Sequence, residues 1–154
     1  MPKKSLKSIR RDGREKALQF LFQSDFNLTP DKIQSDLNTF WDLEDAPTEV
    51  RFFAEQLIHG VLGTRDEIDE LIKKHSLNWD FHRIAKVDKN IMRLSIFEML
   101  HRDDIPPVVS INEAVEIAKR YSTEESGKYV NGILDKIRSD LPRPARTPIK
   151  DTPA

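Results

Sequence analysis

The chain has 154 residues, 38% hydrophobic and 33% charged, with 25 Lys and Arg against 26 Asp and Glu and a formal net charge of −1. That length supports one domain, or two small subdomains on a shared core, and no run approaches the roughly 20 apolar residues that a membrane helix needs. The absence of cysteine excludes disulfides, thiolate metal sites and cysteine nucleophiles, and fits a reducing, cytoplasmic setting.

The near-neutral charge hides an asymmetry. Residues 1–16 hold Lys3, Lys4, Lys7, Arg10, Arg11, Arg14 and Lys16 against Asp12 and Glu15, a net +5 on a body of −6. A basic end on an acidic body points to a polyanion at that end and a basic partner elsewhere. The first nine residues read as a flexible basic arm, with no apolar segment of a signal peptide.

Apolar spacing is helical nearly throughout. A first helix runs from about Asp12 to Asn27, with Ala17, Leu18, Leu21, Phe22 and Phe26 on one side and Phe20 beside them. Thr29-Pro30 starts a second helix that ends near Trp41, since a hydroxyl cap followed by proline suits a helix N-terminus. After a loop over Asp42 to Pro47, Thr48 caps a long third helix carrying Val50, Phe53, Leu57, Val61, Ile68 and Leu71. Gly60 and Gly63 interrupt it, marking a kink or a close helix approach. A GxxG also occurs in an RNA-clamping module, but that module needs flanking strands, and none is evident.

Residues 75–87 form a connection with a short helical turn, the fourth element, around Phe81 to Ile84. Asp88 caps a fifth helix, Lys89 to about His101, whose apolar residues lie on most sides; such a helix is central. Glu98 within it calls for a partner, because an unpaired buried carboxylate is costly, and an arginine or backbone amides would serve. Ser110 with Glu113, and Ser122 with Glu125, read as capping boxes opening the sixth and seventh helices. Val130, Ile133, Leu134, Ile137 and Leu141 form the buried stripe of the last. Pro142, Pro144 and Pro148 end regular structure, and residues 142–154 read as a disordered tail. The expected fold is all-α, about seven helices in two small packed bundles, dividing near residue 75.

No chemistry of catalysis stands out. His59, His75, His82 and His101 have no zinc-site spacing, there is no HExxH, GxSxG, Walker loop or GxGxxG, and the paired acids lie near loops or helix ends. No metal or cofactor is implied, and a binding protein is favoured over an enzyme. Arg10, Arg11 and Arg14 stand near a helix start, where cations oppose the macrodipole, so their presence suits an anionic ligand. Guanidinium forks fit phosphate, and Lys128 beside Tyr129 pairs a cation with a ring on which a base can stack.

The run PPVVSINEAVEIAKRYSTEESGKYVNGILDKI, Pro106 to Ile137, resembles the C-terminal part of the NusB family. Arg10 to Phe22 and Val87 to Met99 resemble two further family segments, in order, so the resemblance spans about Arg10 to Leu141. It implies a transcription antitermination factor that binds boxA-type single-stranded RNA with ribosomal protein S-ten (NusE), within an RNA polymerase antitermination complex, notably during ribosomal RNA transcription. It also implies Arg10, Arg11, Arg14, Lys128, Tyr129 and Asn131 as RNA contacts, and Phe22, Asp88 and Glu125 as partner contacts. An acidic partner surface suits a basic ribosomal protein. Asp12-Gly13 departs from the family pattern and should weaken the arginine turn. The competing reading is a helical scaffold or homodimer whose basic end is merely solvated.

Overall fold

The computed structural model describes residues 5–24, 28–77, 80–146 and 148. Its elements are α1 (Leu6–Gln23), α2 (Pro30–Leu43), α3 (Thr48–Gly63), α4 (Arg65–His75), a 3-10 turn (Phe81–Arg83), α5 (Lys86–His101), α6 (Pro107–Tyr121) and α7 (Glu124–Ser139). No strand occurs among the described residues, in agreement with the all-α expectation.

Helix α5 is the axis. Helices α1 and α3 pack on each other and on α5, while α4, α6 and α7 form a second group on it. Ile91, Met92, Ile96 and Met99 of α5 are buried together with Leu57 and Ile58 of α3, Ile72 of α4, and Val130 and Leu134 of α7. The helices before and after residue 75 thus share one core. Helix α2 closes the far end, where Phe40 meets Phe20 edge-on at 5.6 Å and the Trp41 indole N–H donates to Glu55 at 2.8 Å.

Several local expectations change. Helix α1 starts at Leu6, where the Ser5 hydroxyl accepts the Ser8 N–H, so the basic arm is helical six residues earlier than Asp12. Lys3, Lys4, Phe26 and Asn27 lie outside the described residues. Phe20 takes the core position and Phe22 faces solvent. The long third helix breaks at Thr64 into α3 and α4, with the Thr64 N–H bonded to Gly60 O and Val61 O. Val61 is buried inside α3, so Gly60 to Gly63 forms no exposed clamp.

The capping boxes also move. Thr48 and Asp88 lie inside α3 and α5, whose caps are Pro47 and Ala85. Ser110 lies inside α6, and its hydroxyl donates to Glu98 instead of capping. Thr123, not Ser122, caps α7, accepting the Ser126 N–H at 3.0 Å. For α3 and α6 a proline, and for α7 a neighbouring hydroxyl, gave the chain another way to start the helix, whereas α5 starts at Ala85 with no side-chain cap. After α7, residues 142–146 are not a loose tail. Arg143 bonds carbonyls at the end of α5, and Ala145 O accepts the Val108 N–H at 2.9 Å.

Candidate functional site

The arginine-rich face of α1 is built around Phe53 of α3. The guanidinium carbons of Arg10, Arg14 and Arg102 lie 5.6, 5.5 and 5.3 Å from the centre of that ring. Gly13 permits this approach, since a Cβ there would lie 2.7 Å from Phe53 Cδ2. The Asp12-Gly13 departure therefore does not break α1. The helix runs straight through it, and the glycine is required by packing.

Each arginine has a carboxylate. Arg14 Nε and Nη2 donate to the two oxygens of Glu98 at 2.7 and 2.9 Å, and Ser110 Oγ donates to Glu98 Oε1 at 2.6 Å. Glu98 is thus the paired core carboxylate that its apolar helix called for. Arg10 donates to Asp104 at 2.7 Å, and Arg102 grips the same carboxylate at 2.9 and 3.0 Å. Arg11 Nε donates to Glu113 of α6. Burial opposes ionisation of Asp104, but the hydrogen bonds and charges of Arg102 and Arg10 outweigh it and hold its carboxyl below the ordinary range.

These pairs grade the arginines by accessibility. The side chain of Arg14 is 5% exposed, that of Arg10 12% and that of Arg11 30%. A cleft of about 490 Å3 opens between α1 and α6, lined by Lys7, Arg10, Arg11, Val109, Asn112 and Glu113 among others. Arg14 lies at its floor with its fork turned onto Glu98, an arrangement that ties α1 to α5. Arg10 and Arg11 reach the cleft wall.

A second cleft of about 260 Å3 lies between α5 and α7, lined by Arg83, Ile84, Ala85, Asp88, Glu125, Ser126 and Tyr129. The ammonium of Lys86, at the start of α5, sits 4.9 Å from the ring centre of Phe22, which is 43% exposed at the end of α1. Phe22, Asp88 and Glu125, distant in sequence, thus come to the same end of the molecule. Tyr129 joins this group rather than the arginines. Lys128 and Asn131 are exposed on α7, with Lys128 3.7 Å from Glu125.

The arginines and Lys128 do not share a cleft. They are linked along α6, which pairs with Arg11 through Glu113 and with Glu15 through Arg120, and whose Lys119 stem lies under Gly127. Glu113 to Arg120 spans roughly 10 Å of helix rise. Residue pattern alone missed Lys86, Asp104, Glu113 and Phe53 as parts of these sites. A long-range charge match between the basic α1 and the acids near residues 98–113 was the one available signal.

Asp88 is the most unusual group in the second cleft. It is 6% exposed, Oδ2 accepts from Ser126 Oγ at 3.1 Å, and Oδ1 is buried with no hydrogen-bond partner. Burial pushes its carboxyl above the ordinary carboxylate range, and the Ser126 hydrogen bond offsets this only in part. Between that raised value and the reference of 3.8, the native state binds more protons than the unfolded chain. Stability therefore rises as pH falls through that window and is lower above it. Asp88→Asn is expected to raise the neutral-pH melting temperature by about 2–4 °C, as expected for a gain near 1 kcal/mol. The same variant should flatten the pH dependence in that window. Scanning calorimetry across pH checks it, and an unchanged or lower melting temperature at neutral pH would contradict the buried-carboxylate assignment.

Among the described residues, no group of three His, Asp or Glu side chains is placed to hold a metal ion, and no helix is long and apolar enough to cross a membrane. The sequence model of the NusB family matches residues 11–139. The transcription antitermination protein NusB of Bacillus subtilis is 47% identical over 134 residues, covering 86% of this chain and 96% of that protein. The structure of T. maritima NusB superposes with a TM-score of 0.72 at 37% identity, over 85% of this chain and 91% of that one. A NusB in a complex of NusB and NusE with double-stranded RNA has the same fold, with a TM-score of 0.74 at 23% identity, over 86% and 98% of the two chains. With a family match over most of its length and these relatives, the chain belongs to the NusB family.

Proposed function

We propose that this chain is a non-enzymatic transcription antitermination factor that binds boxA-type single-stranded RNA together with ribosomal protein S-ten (NusE), within the RNA polymerase antitermination complex. Membership of a family whose relatives carry the antitermination name supports the reading. The observation that carries it is the separation of two clefts of opposite charge excess: one between α1 and α6, where Lys7, Arg10, Arg11 and Arg14 outnumber Glu113 and Glu116, and one between α5 and α7, where Asp88 and Glu125 outnumber Arg83.

Arg10 and Arg11 serve the RNA from the cleft wall, with Lys128 and Asn131 further along at α7. Arg14, whose fork is turned onto Glu98, acts in this reading as a positioning residue. Phe22, Asp88 and Glu125 form the face for the basic partner, and Tyr129 stands between the two roles at the edge of that face. Coulombic complementarity between carboxylates and a basic protein sets encounter rate and register.

The test is a split of the two activities. Glu125→Lys is expected to weaken binding of the ribosomal partner by roughly tenfold, as expected for about 1.4 kcal/mol of like-charge repulsion, while RNA binding alone stays unchanged. Arg11→Gln should do the reverse. Titrations of each variant with RNA alone and with the partner alone read this directly. If either variant loses both activities equally, the two-surface division is wrong.

A further inference from the structure

The segment after α7 caps two helices at once. Arg143 Nη1 donates to Met99 O at 2.8 Å and to Arg102 O at 3.4 Å, and Nη2 donates to Ile105 O at 2.9 Å. Two residues on, Ala145 O accepts the Val108 N–H. The guanidinium thus satisfies carbonyls at the end of α5, while the carbonyl satisfies one of the first amides of α6, a helix with no side-chain cap. Pro142 and Pro144 flank Arg143 and narrow the backbone freedom of the clasp.

This clasp ties the residue before Arg146 to the first turn of α6. Arg146 follows the residue bonded to Val108, and Val109 and Pro106, one residue after and two before Val108, line the α1/α6 cleft. Arg146 is exposed. Lys7, also exposed, lines the same cleft from the α1 side. Arg10, Arg11, Arg14 and Arg102 are all held in ion pairs, whereas among the described residues neither Lys7 nor Arg146 is in one.

We propose that Lys7 and Arg146 are phosphate contacts on the two rims of the cleft, with Arg146 held there by the Arg143–Ala145 clasp. This rests on the RNA-binding reading above. A phosphate that reaches Arg10 or Arg11 must share it with Asp104 or Glu113. A phosphate that reaches Lys7 or Arg146 displaces only water and counterions, the exchange that drives salt-dependent binding. The two cations therefore meet the strand first, and the paired arginines are engaged deeper in the cleft.

The experiment is a titration of a boxA-containing single-stranded RNA oligomer with the full chain at several salt concentrations. Arg10, Arg11, Lys128, Lys7 and Arg146 together give a log–log slope of about −3.5. Lys7→Gln/Arg146→Gln is expected to reduce it to about −2. Both residues are exposed, so the melting temperature should not change. Arg143→Gln, which opens the clasp, should remove about 0.7 from the slope, and Lys32→Gln on α2 should remove none. A double variant that keeps the wild-type slope overturns the proposal and leaves the RNA-binding reading standing. A wild-type chain with no salt-dependent RNA binding overturns both.

Discussion

Arg14→Ala is expected to lower the stability of the protein by about 3–5 kcal/mol, because it strands a buried carboxylate. Glu98 is 1% exposed and loses both guanidinium bonds in that variant, keeping only the Ser110 hydroxyl. Burial opposes the charge on Arg14, yet Glu98, Glu113 and Asp104 around it raise its pKa overall, so Arg14 keeps its charge beside Glu98. At about 2–4 °C per kcal/mol for a chain of this size, the melting temperature should fall by roughly 10 °C. Replacing both partners, as in Arg14→Met/Glu98→Met, should recover most of the loss, since two apolar side chains of similar volume leave no unpaired charge. Urea denaturation of the four members of this cycle gives the coupling. If Arg14→Ala is as stable as the parent but binds RNA more weakly, Arg14 is a direct contact after all. Any loss of RNA binding should be interpreted only below the unfolding range of the variant.

Gly60→Ala is expected to cost about 1–3 kcal/mol, the range for forcing extra atoms into a packed contact. An added Cβ would lie 2.1 Å from Cζ and 2.2 Å from Cε1 of Phe97, so α3 and α5 could keep their spacing only if the ring moved. Phe97 is half-buried, so it can swing outward, and the cost is then the loss of its contact with α3. Better helix propensity returns up to about 1 kcal/mol, which sets the lower end of the range. In a Phe97→Ala background, Gly60→Ala should be neutral or stabilising. Melting temperatures of the two single variants and the double variant test this, and additive effects would show that Gly60 is not kept for close approach. Gly132 is the contrast, with open space where its Cβ would be.

Much of the fold was legible from local pattern. Threonine and proline at 29–30 marked the start of α2, the apolar content of residues 91–100 marked α5 as central, and the stripe from Val130 to Ile137 marked the buried side of α7. These features depend on residues three or four apart, and helix periodicity records them directly. Exact helix starts were less legible. Ser110 and Glu113 have the spacing of a capping box, but each was claimed by a group from another helix, Glu98 and Arg11.

The candidate sites divide along the same line. The basic character of α1 and the acidic character of Asp88 and Glu125 belong to the sequence, and so does the family resemblance that ties them to RNA and a ribosomal protein. Tertiary structure alone decided which cations are available. Arg14 meets Glu98 across 84 positions, Arg11 meets Glu113 across 102 and Arg10 meets Asp104 across 94, and no local pattern encodes such pairings. It also brought Phe22 to the start of α5, against Lys86, and tied Ala145, the residue before Arg146, to α6. Chain composition determines how much charge a protein carries; burial and long-range pairing determine which of those charges a ligand can still meet.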